Sequence, residues 1–490
     1  MHEDYEEQGQ LILAAEECPP DLFSKLHRFS SYDEQIIRRL IAHGPVLLRG
    51  GRGSGKSALL LEAHNKISQG GGNIFTVYLS LRYLPLLRSK GEQYENIFCE
   101  LLISSIRQQL QKDGWQAGFS PSPSVGSLQQ ELVRLSSILK KRIVLFFDDA
   151  AHLGRETALT EFFDIFRTLS SSTVSCKAAI YPGVTKFGVR FDVYNDATVI
   201  DISRDERSEY FNTFFTNVIQ ARYPTLLNKT SRSFPEENLP AFIGRSVVGN
   251  MRAFVFACNK LNDSTRIGFP ELTLTLLYLS ADYYWPLLEE LTPKLGIYEV
   301  MIEPSRLLAE QLITFVGQAK ATSVIIHRDL IQKYAKLFEI LEYAGFISRR
   351  EASRALKSGG RGARFTINLC NLLEKFPGSR ITSEIFGSWI KDKSDQAEIH
   401  SSSNVLNVLL PDIPEFHDLS ILQFDIEQLR VSKAYPYGLT EKRIEVLHEA
   451  GINKVGDLAD ASDDLLLSLP SIGEKYLKRI RAVVGQAIWM

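Results

Sequence analysis

A glycine-rich stretch near residue 50 has the residue types and the spacing needed to bind phosphate. It matches the pattern G-x-x-x-x-G-K-S. Its residues are Gly50, Gly51, Arg52, Gly53, Ser54, Gly55, Lys56 and Ser57, followed by Ala58. The glycines allow successive N–H groups to point at a phosphate, the lysine can reach the β- and γ-phosphates, and the serine hydroxyl can bind Mg²⁺. The stretch therefore predicts a nucleotide site.

Two carboxylates follow a buried strand further along the chain. Asp148 and Asp149 end the apolar run that begins at Ile143. A continuous apolar run is typical of a fully buried parallel strand, and ligands bind at the carboxyl ends of such strands. We therefore expect Asp148 to hold Mg²⁺, and Asp149 to orient or deprotonate an attacking water.

The segments around the loop alternate between strand and helix patterns. Residues 45–49 and 73–79 are apolar and β-branched, as in strands, whereas residues 57–63 follow the loop with a helical pattern. Ser31 and Glu34 have the spacing of a capping box, which predicts a helix before the loop. This alternation predicts a parallel α/β sheet.

Composition sets the outer bounds. The chain has 490 residues, 44% hydrophobic and 23% charged, so we expect three or four domains in an ordinary soluble protein. A net charge of −2 excludes nucleic-acid binding by bulk charge. The five cysteines lie far apart, which favours a reducing compartment. The acidic N-terminus does not match a signal peptide, no apolar run is long enough to span a bilayer, and we expect a cytoplasmic protein.

Residues 22–261 resemble the AAA+ ATPases, in particular origin-recognition-type initiators and the related STAND-like ATPases. The resemblance rests on the helix before the loop, the loop, the acidic strand, Arg190 before a fifth strand, and Arg252 in a Gly-Asn-x-Arg turn. It implies ATP and Mg²⁺ as cofactors. Arg190 would reach the γ-phosphate of a neighbouring subunit in a homo-oligomer, and Arg252 would contact the nucleotide from a helical lid.

The sequence departs from this family at two positions. Asp149 stands where the family usually has glutamate. The resulting Asp-Asp pair resembles that of the STAND-like ATPases and implies slow ATP hydrolysis. Tyr181 replaces the polar residue expected at the end of the fourth strand.

A basic, glycine-rich turn between two strand patterns follows a helix that ends at Gly345. The arrangement resembles a winged-helix domain, whose wing contacts DNA phosphates or serves as a protein-docking surface. The candidate DNA-binding residues are Arg349, Arg350, Arg354, Lys357, Arg361 and Arg364.

The C-terminal residues resemble the helix-hairpin-helix pair found in the C-terminal domain of the RNA polymerase α chain. In such hairpins the Pro-x-Ile-Gly turn faces a DNA phosphate at a helix N-terminus. The candidate residues are Ser471, Gly473, Lys475 and Lys478. Basic and acidic residues are nearly balanced in this segment, so protein docking remains the alternative.

The predicted organisation is an α/β P-loop NTPase with a helical lid, followed by winged-helix and helix-hairpin-helix domains. The boundaries are 1–205 for the nucleotide-binding core, 206–300 for the lid, 301–375 for the winged helix, 376–433 for a connecting segment and 434–490 for the helix-hairpin-helix. The sequence predicts an oligomerising, nucleotide-controlled ATPase that binds DNA. The alternative is a STAND-like signalling or antiviral-defence ATPase that binds a protein partner. In either case a second protein is expected to carry any effector chemistry.

Overall fold

The computed structural model describes residue 15 and residues 18–489, apart from 84, 87, 88, 117, 152–155, 184–186, 188, 189, 232, 233, 392–395, 415–418, 433, 434, 436 and 437. Of the predicted domains, only the winged helix, 301–375, lies entirely within the described residues.

Five parallel strands form the first sheet, in the order β2-β3-β4-β1-β5. The strands are β1 Val46–Arg49, β2 Ile74–Ser80, β3 Arg142–Ala151, β4 Val174–Ile180 and β5 Thr198–Asp201. The expected parallel α/β sheet is confirmed. Because β4 lies between β1 and β3, its carboxyl end separates the phosphate loop from the acidic strand.

Helices cover both faces of this sheet. They are α1 Pro20–Leu26, α2 Ser31–Ile41, α3 Lys56–Gln69, α4 Gly91–Lys112, α5 Val125–Leu139, α6 Glu156–Leu169 and the short α7 Val193–Asp196. Along β3, Val144 and Phe146 pack with α2 and α3, whereas Leu145 and Phe147 pack with α4, α5 and α6. Since successive side chains of a strand point to opposite faces, an unbroken apolar strand fits two covered faces.

The capping box of α2 lies one residue earlier than predicted. Ser30, not Ser31, is the N-cap, and it forms a reciprocal pair with Asp33. Both spacings fit the sequence pattern, but only Asp33 also meets a buried cation in the fold.

The lid consists of helices α8 Tyr210–Arg222, α9 Leu239–Ser246, α10 Met251–Asn262, α11 Phe269–Leu279 and α12 Trp285–Glu290. Asn250 caps α10 by accepting a hydrogen bond from the Ala253 amide, at 3.1 Å. The predicted helix after the Gly-Asn turn is therefore confirmed.

A second α/β unit, residues 302–399, follows the lid and is called here the C-terminal α/β unit. Its elements are α13 Ile302–Gln318, β6 Ser323–His327, α14 Arg328–Lys333, α15 Ala335–Ala344, β7 Ile347–Ala355, β8 Arg361–Ile367, α16 Leu369–Lys375, α17 Ser383–Lys391 and β9 Ala397–Ile399. Its sheet has the order β7-β8-β6-β9, in which β7 and β8 form an antiparallel hairpin. The lid and this unit share one hydrophobic core, so they pack as a continuous body.

Part of the predicted connecting segment belongs to this unit. Residues 383–391 form α17, residues 397–399 form β9, and β9 pairs in parallel with β6. The sequence does not reveal a strand this short, because three residues are too few to show an alternation.

The C-terminal helical unit, residues 438–489, shares one hydrophobic core with residues 419–429 of the predicted connecting segment. Its helices are α18 Glu441–Glu449, α19 Val455–Asp460, α20 Asp463–Ser468 and α21 Glu474–Trp489. None of the helices within the described ranges combines the length and apolarity needed to span a bilayer.

A buried ion pair joins α2 to the segment after β5. The Arg204 guanidinium lies 2.9 Å from the Asp33 carboxylate, and their side chains are 4% and 0% exposed. Arg204 also donates a hydrogen bond to the Ser54 carbonyl of the phosphate loop, at 2.7 Å. The ion pair therefore connects the phosphate loop to α2 through Arg204.

We expect Arg204→Met to lower the free energy of unfolding by about 3–5 kcal/mol, because the Asp33 carboxylate would remain buried without its cation. Arg306→Met is the matched control, since Arg306 pairs with glutamates on the surface of α13 and such pairs contribute about 0–1 kcal/mol. Urea unfolding followed by circular dichroism measures both. Equal losses in the two variants would contradict a structural role for the buried pair.

Candidate functional site

The phosphate loop requires glycine at several positions. Gly53 and Gly55 have φ angles of +78° and +97°, in the left-handed region that favours glycine. A Cβ atom at Gly50 would lie 2.4 Å from the Ser54 hydroxyl oxygen, so a side chain here would force that hydroxyl to move. Gly55 then begins α3, so the positive end of that helix dipole lies at the loop, where an anion is stabilised.

Lys56 is buried inside the loop. Its ammonium group donates to the carbonyl oxygens of Gly50 and Gly51, at 2.9 and 3.1 Å, and lies 3.6 Å from the centre of the Tyr181 ring. Burial lowers the pKa of Lys56 to about 7, although Asp149 and Asp148 act in the opposite direction. A phosphate placed here would supply the close negative charge that stabilises the ammonium form.

The two carboxylates near the carboxyl end of β3 have different surroundings. Asp148 is buried, accepts a hydrogen bond from the Tyr78 hydroxyl, and accepts a second from the Asp149 amide at 2.9 Å. Asp149 lines the cavity beside the loop and forms an ion pair with Arg82 at 2.7 Å. Asp149 therefore reaches the cavity, whereas Asp148 lies behind it.

The backbone of Asp149 is in an unusual conformation. Its φ angle is +52°, which few residues other than glycine adopt. Such strain persists only where the surroundings impose it, and it concentrates at functional sites. It turns the Asp149 carboxylate away from the strand direction and towards the cavity.

The lid turn is bonded directly to the phosphate loop. The Asn250 side-chain amide donates to the Arg52 carbonyl at 2.6 Å, and the Met251 amide donates to the Gly53 carbonyl at 3.0 Å. These bonds place the next residue, Arg252, in the wall of the cavity. The sequence-predicted lid arginine and the phosphate loop thus lie together.

Three buried guanidinium nitrogens at this site have no partner among the described residues. They are Nη1 of Arg52, Nε of Arg204 and Nε of Arg252, and all three residues line the cavity. Buried donors are normally satisfied, so unsatisfied cationic donors around a glycine-rich loop fit an anionic ligand. The residues present therefore fit a nucleoside triphosphate.

The other end of the cavity is lined mainly by apolar side chains. The cavity is open to solvent, and together with the solvent space at its mouth it has about 1020 Å³ of empty volume. Its wall at this end includes Leu26, His27, Phe29, Phe214, Val218, Met251 and Val255. Burial, assisted by Arg222, lowers the pKa of His27 to about 4, so this side chain stays neutral near pH 7. This end also carries Arg28 and Arg222, and its apolar side chains next to a phosphate site suit a nucleotide base.

Arg190 lies outside this cavity wall as far as the described residues show it. Its side chain is exposed on the segment between β4 and α7, and its amide donates to the Asp164 carboxylate at 3.1 Å. The arrangement does not bring Arg190 to the nucleotide site of its own subunit.

The structure corrects two of the predicted DNA-binding residues. Arg364 is 0% exposed and pairs with Glu351 at 2.9 Å, and the Arg350 side chain is 1% exposed and pairs with Glu206 at 2.8 Å. Buried, paired guanidinium groups cannot contact a phosphate backbone. These two arginines instead stabilise the hairpin and its packing against the nucleotide-binding core.

The other hairpin candidates lie nearer the surface. Arg349, Lys357 and Arg361 are exposed, whereas Arg354 is half-buried and pairs with Glu351 at 2.9 Å. Arg361 also donates to the Ser353 hydroxyl at 2.6 Å. The exposed basic side chains therefore lie at the base and the tip of the hairpin.

The candidates in the C-terminal helical unit surround one turn. Ser471, Gly473, Lys475 and Lys478 are all exposed at the start of α21. Ser471 has a φ angle of +65°, and a Cβ atom at Gly473 would meet nothing within 4 Å. The turn is therefore open to an approaching molecule.

Sequence reasoning missed Arg82 and Arg204 and left Tyr181 unassigned. Each occupies a position after a strand of the first sheet, where the carboxyl ends converge. Their position directly after a strand could have marked these residues as members of the site, but isolated arginines after strands are common on protein surfaces. Only the fold shows that these three side chains line the cavity.

No protein-family model and no curated protein matches the sequence. Among solved structures, the chain is similar to Cdc6p from Pyrobaculum aerophilum, at 13% identity and a TM-score of 0.33, covering 77% of this chain and 99% of that one. It is similar to the Aeropyrum pernix ORC1 protein in complex with DNA, at 13% identity and a TM-score of 0.31, covering 76% and 95%. It is also similar to domain III of the Thermotoga maritima replication initiation protein DnaA, at 18% identity and a TM-score of 0.31, covering 53% and 96%. Since these TM-scores are low, the function is inferred from the geometry of the site.

We expect Lys56→Ala to weaken ATP binding by about 10-fold to 100-fold, because a charged hydrogen bond to phosphate is removed. The fold should persist, since the ammonium group bonds only to loop carbonyls. Lys66→Ala is the matched control, an exposed lysine on the same helix that pairs with Glu34. Titration with a fluorescent ATP analogue and thermal melting check this prediction, and unchanged affinity in Lys56→Ala would contradict the site.

Proposed function

We propose that the protein is an ATP-binding, AAA+-type ATPase that acts as an oligomerising, nucleotide-controlled switch and binds DNA. The observation that carries the proposal is the convergence of the phosphate loop, Asp149 and Arg252 on one cavity. Unpartnered guanidinium nitrogens of Arg52 and Arg252 in the described part of the chain give that cavity a binding preference for anions.

The residues divide the work of ATP binding by position. The loop amides and Lys56 would hold the phosphates, and Arg252 would contact them from the lid. Ser57 and Asp148 are the oxygen donors proposed for Mg²⁺, with Asp148 acting from behind Asp149. Bound Mg²⁺ would neutralise the charge that develops on the phosphate oxygens.

Asp149 is the carboxylate proposed to orient the attacking water. In this structure it is engaged by Arg82, at 2.7 Å, in a pair whose carboxylate is 4% exposed. A carboxylate held by a cation is a weaker base, because the cation favours its charged form. Slow hydrolysis follows unless Arg82 shifts when nucleotide binds.

The exposed position of Arg190 supports its proposed action on a neighbouring subunit. An arginine supplied from another subunit stabilises the charge of the transition state more than that of bound ATP. Hydrolysis would then depend on assembly.

We expect Arg190→Ala to leave ATP affinity nearly unchanged and to lower turnover by about 10³-fold. Wild-type turnover per subunit should rise with protein concentration. Arg134→Ala is the control, because Arg134 is a half-exposed arginine of α5 that pairs with Glu131. Phosphate release measured over a series of protein concentrations tests whether hydrolysis depends on assembly. Turnover independent of both concentration and Arg190 would exclude the oligomer.

The proposed DNA surface consists of the exposed residues Arg349, Lys357 and Arg361 of the hairpin, with Ser471, Gly473, Lys475 and Lys478 of the helical unit. The first six elements of the C-terminal α/β unit are a helix, a strand, two helices and a two-stranded hairpin, and this order supports the winged-helix resemblance. Phosphate contacts would supply affinity without reading sequence.

We expect the double variant Lys357→Ala, Arg361→Ala to weaken binding to all duplexes alike and to reduce the salt slope by about one unit per lost contact. Gly473→Val should block the close approach of the turn while the hairpin's contribution remains. Lys112→Ala, an exposed lysine of α4, is the control. Salt titrations by fluorescence anisotropy measure these effects. Weak, salt-independent binding in every protein would remove the DNA proposal and favour the STAND-like alternative with a protein partner.

A further inference from the structure

His27 lies at the apolar end of the cavity, in an orientation that α1 fixes. It follows α1 directly, and its imidazole ring stacks on the Phe23 ring, with 4.2 Å between the ring centres and 20° between the planes. Nδ1 of His27 also lies 3.1 Å from the Phe23 carbonyl oxygen. Because both contacts are made with the same residue, one helical turn earlier, the ring is held in one position.

The hydrogen bond to Phe23 determines which ring nitrogen of His27 carries the proton. A carbonyl oxygen only accepts hydrogen bonds, so Nδ1 must be the donor. Burial, with Arg222 acting in the same direction, lowers the pKa of His27 to about 4, and the ring is neutral near pH 7. In a neutral imidazole the second nitrogen then has a lone pair and no proton. Nε2 of His27 is thus a hydrogen-bond acceptor.

This acceptor is available to a ligand. Nε2 forms no hydrogen bond with any residue in the described part of the chain, and His27 is one of the residues that line the cavity. The backbone on both sides is fixed, since Arg222 donates to the Leu26 carbonyl at 3.2 Å and Arg28 donates to the His27 carbonyl at 2.8 Å. The cavity therefore presents one preorganised neutral acceptor at its apolar end.

The purine bases differ in what they offer to such an acceptor. At the 6-position adenine carries an amine, which donates, whereas guanine carries an oxygen, which accepts. An oxygen facing Nε2 would bring two lone pairs together and leave both groups without a donor, which is costly where water is displaced. Arg28 and Arg222 are cationic donors that would favour guanine, but both are engaged with backbone carbonyls. The polar groups at this end therefore favour adenine.

We propose that His27 is a specificity-determining residue that selects an adenine nucleotide, with Nε2 accepting a hydrogen bond from the 6-amino group of the base. The inference rests on the proposed nucleotide site and adds to it the residue that recognises the base. The phosphate loop contacts only groups that all nucleoside triphosphates share. Selection of the base must therefore come from the other end of the cavity.

Removing the amine from the ligand tests this hydrogen bond without any change in the protein. Isothermal titration calorimetry of the full chain with Mg²⁺ compares ATP, GTP and purine riboside triphosphate, which has a hydrogen in place of the 6-amino group. We expect ATP to bind about 5-fold to 10-fold more tightly than purine riboside triphosphate, because one hydrogen bond is lost. GTP should bind more weakly still, because its oxygen faces an acceptor.

His27→Phe keeps an aromatic ring to stack on Phe23 and removes both ring nitrogens. The Phe23 carbonyl still accepts from the backbone amide of residue 27, at 2.9 Å, so the fold should persist. This variant should bind ATP and purine riboside triphosphate with nearly equal affinity, and the latter as tightly as wild type does. His43→Phe is the matched control, a histidine that does not line this cavity and bonds to the Ser172 carbonyl. It should keep the wild-type ratio of affinities.

His27→Gln gives a second route should His27→Phe not fold. Its side-chain amide keeps one donor for the Phe23 carbonyl and one acceptor for the base. It should therefore retain part of the preference for ATP over purine riboside triphosphate. No preference in a folded His27→Gln, with wild-type affinity for purine riboside triphosphate, would contradict an acceptor at this position.

The remaining outcomes separate this inference from the proposed function. No binding of any of the three nucleotides by the wild-type protein would overturn both. Equal affinities for all three, or a preference for GTP, would overturn the selection of adenine alone. Equal weakening of all three ligands in His27→Phe would make His27 a structural residue and overturn the inference. An unchanged ratio between ATP and purine riboside triphosphate in that variant would also overturn it, because another group would then accept from the amine.

Discussion

The burial of one ammonium group sets the conditions for the rest of this structure. Lys56 is held away from water by two loop carbonyls and the face of Tyr181, and its pKa falls to about 7 because of that burial. The closest polar contacts are dipoles and an aromatic ring, which stabilise a cation less than an anion would. A phosphate would therefore stabilise Lys56, and the surrounding residues must fix the conformation of the loop.

Buried ion pairs between arginines and carboxylates supply that support. The pair of Arg204 and Asp33 connects the phosphate loop to α2. The pair of Arg350 and Glu206 connects the hairpin to the segment after β5, which lies beside the phosphate loop. Such pairs contribute little net stability compared with apolar packing, but losing one partner is costly. They therefore act as specific connections. Since Arg204 and Glu206 are close neighbours in sequence, one short segment links the loop to the C-terminal α/β unit.

The sequence predicted the parts of this protein that depend on local patterns. The phosphate loop, the apolar strand ending at Asp149 and the helix after Asn250 are all recognisable from a few consecutive residues. It did not predict which arginines are buried. Arg361 and Arg364 belong to one basic run, yet one is exposed and the other is enclosed by Glu351 and Glu206 from separate segments. Only the first residue of β8 is exposed, because residues 362–367 are all buried, and the buried arginine meets carboxylates that lie far away in sequence. Local charge patterns reveal neither feature.

The ion pair between Asp149 and Arg82 holds the carboxylate that is proposed to orient the attacking water. The strained backbone of Asp149 directs its carboxylate into the cavity, where the cation that it meets comes from the end of β2. Arg82 also lines the cavity, so a bound triphosphate would compete with Asp149 for this guanidinium. A phosphate offers more negative charge and more acceptor oxygens than one carboxylate. In the proposed mechanism, binding would free the carboxylate that is proposed to orient the water, and Arg82 would pass from the ion pair to the ligand.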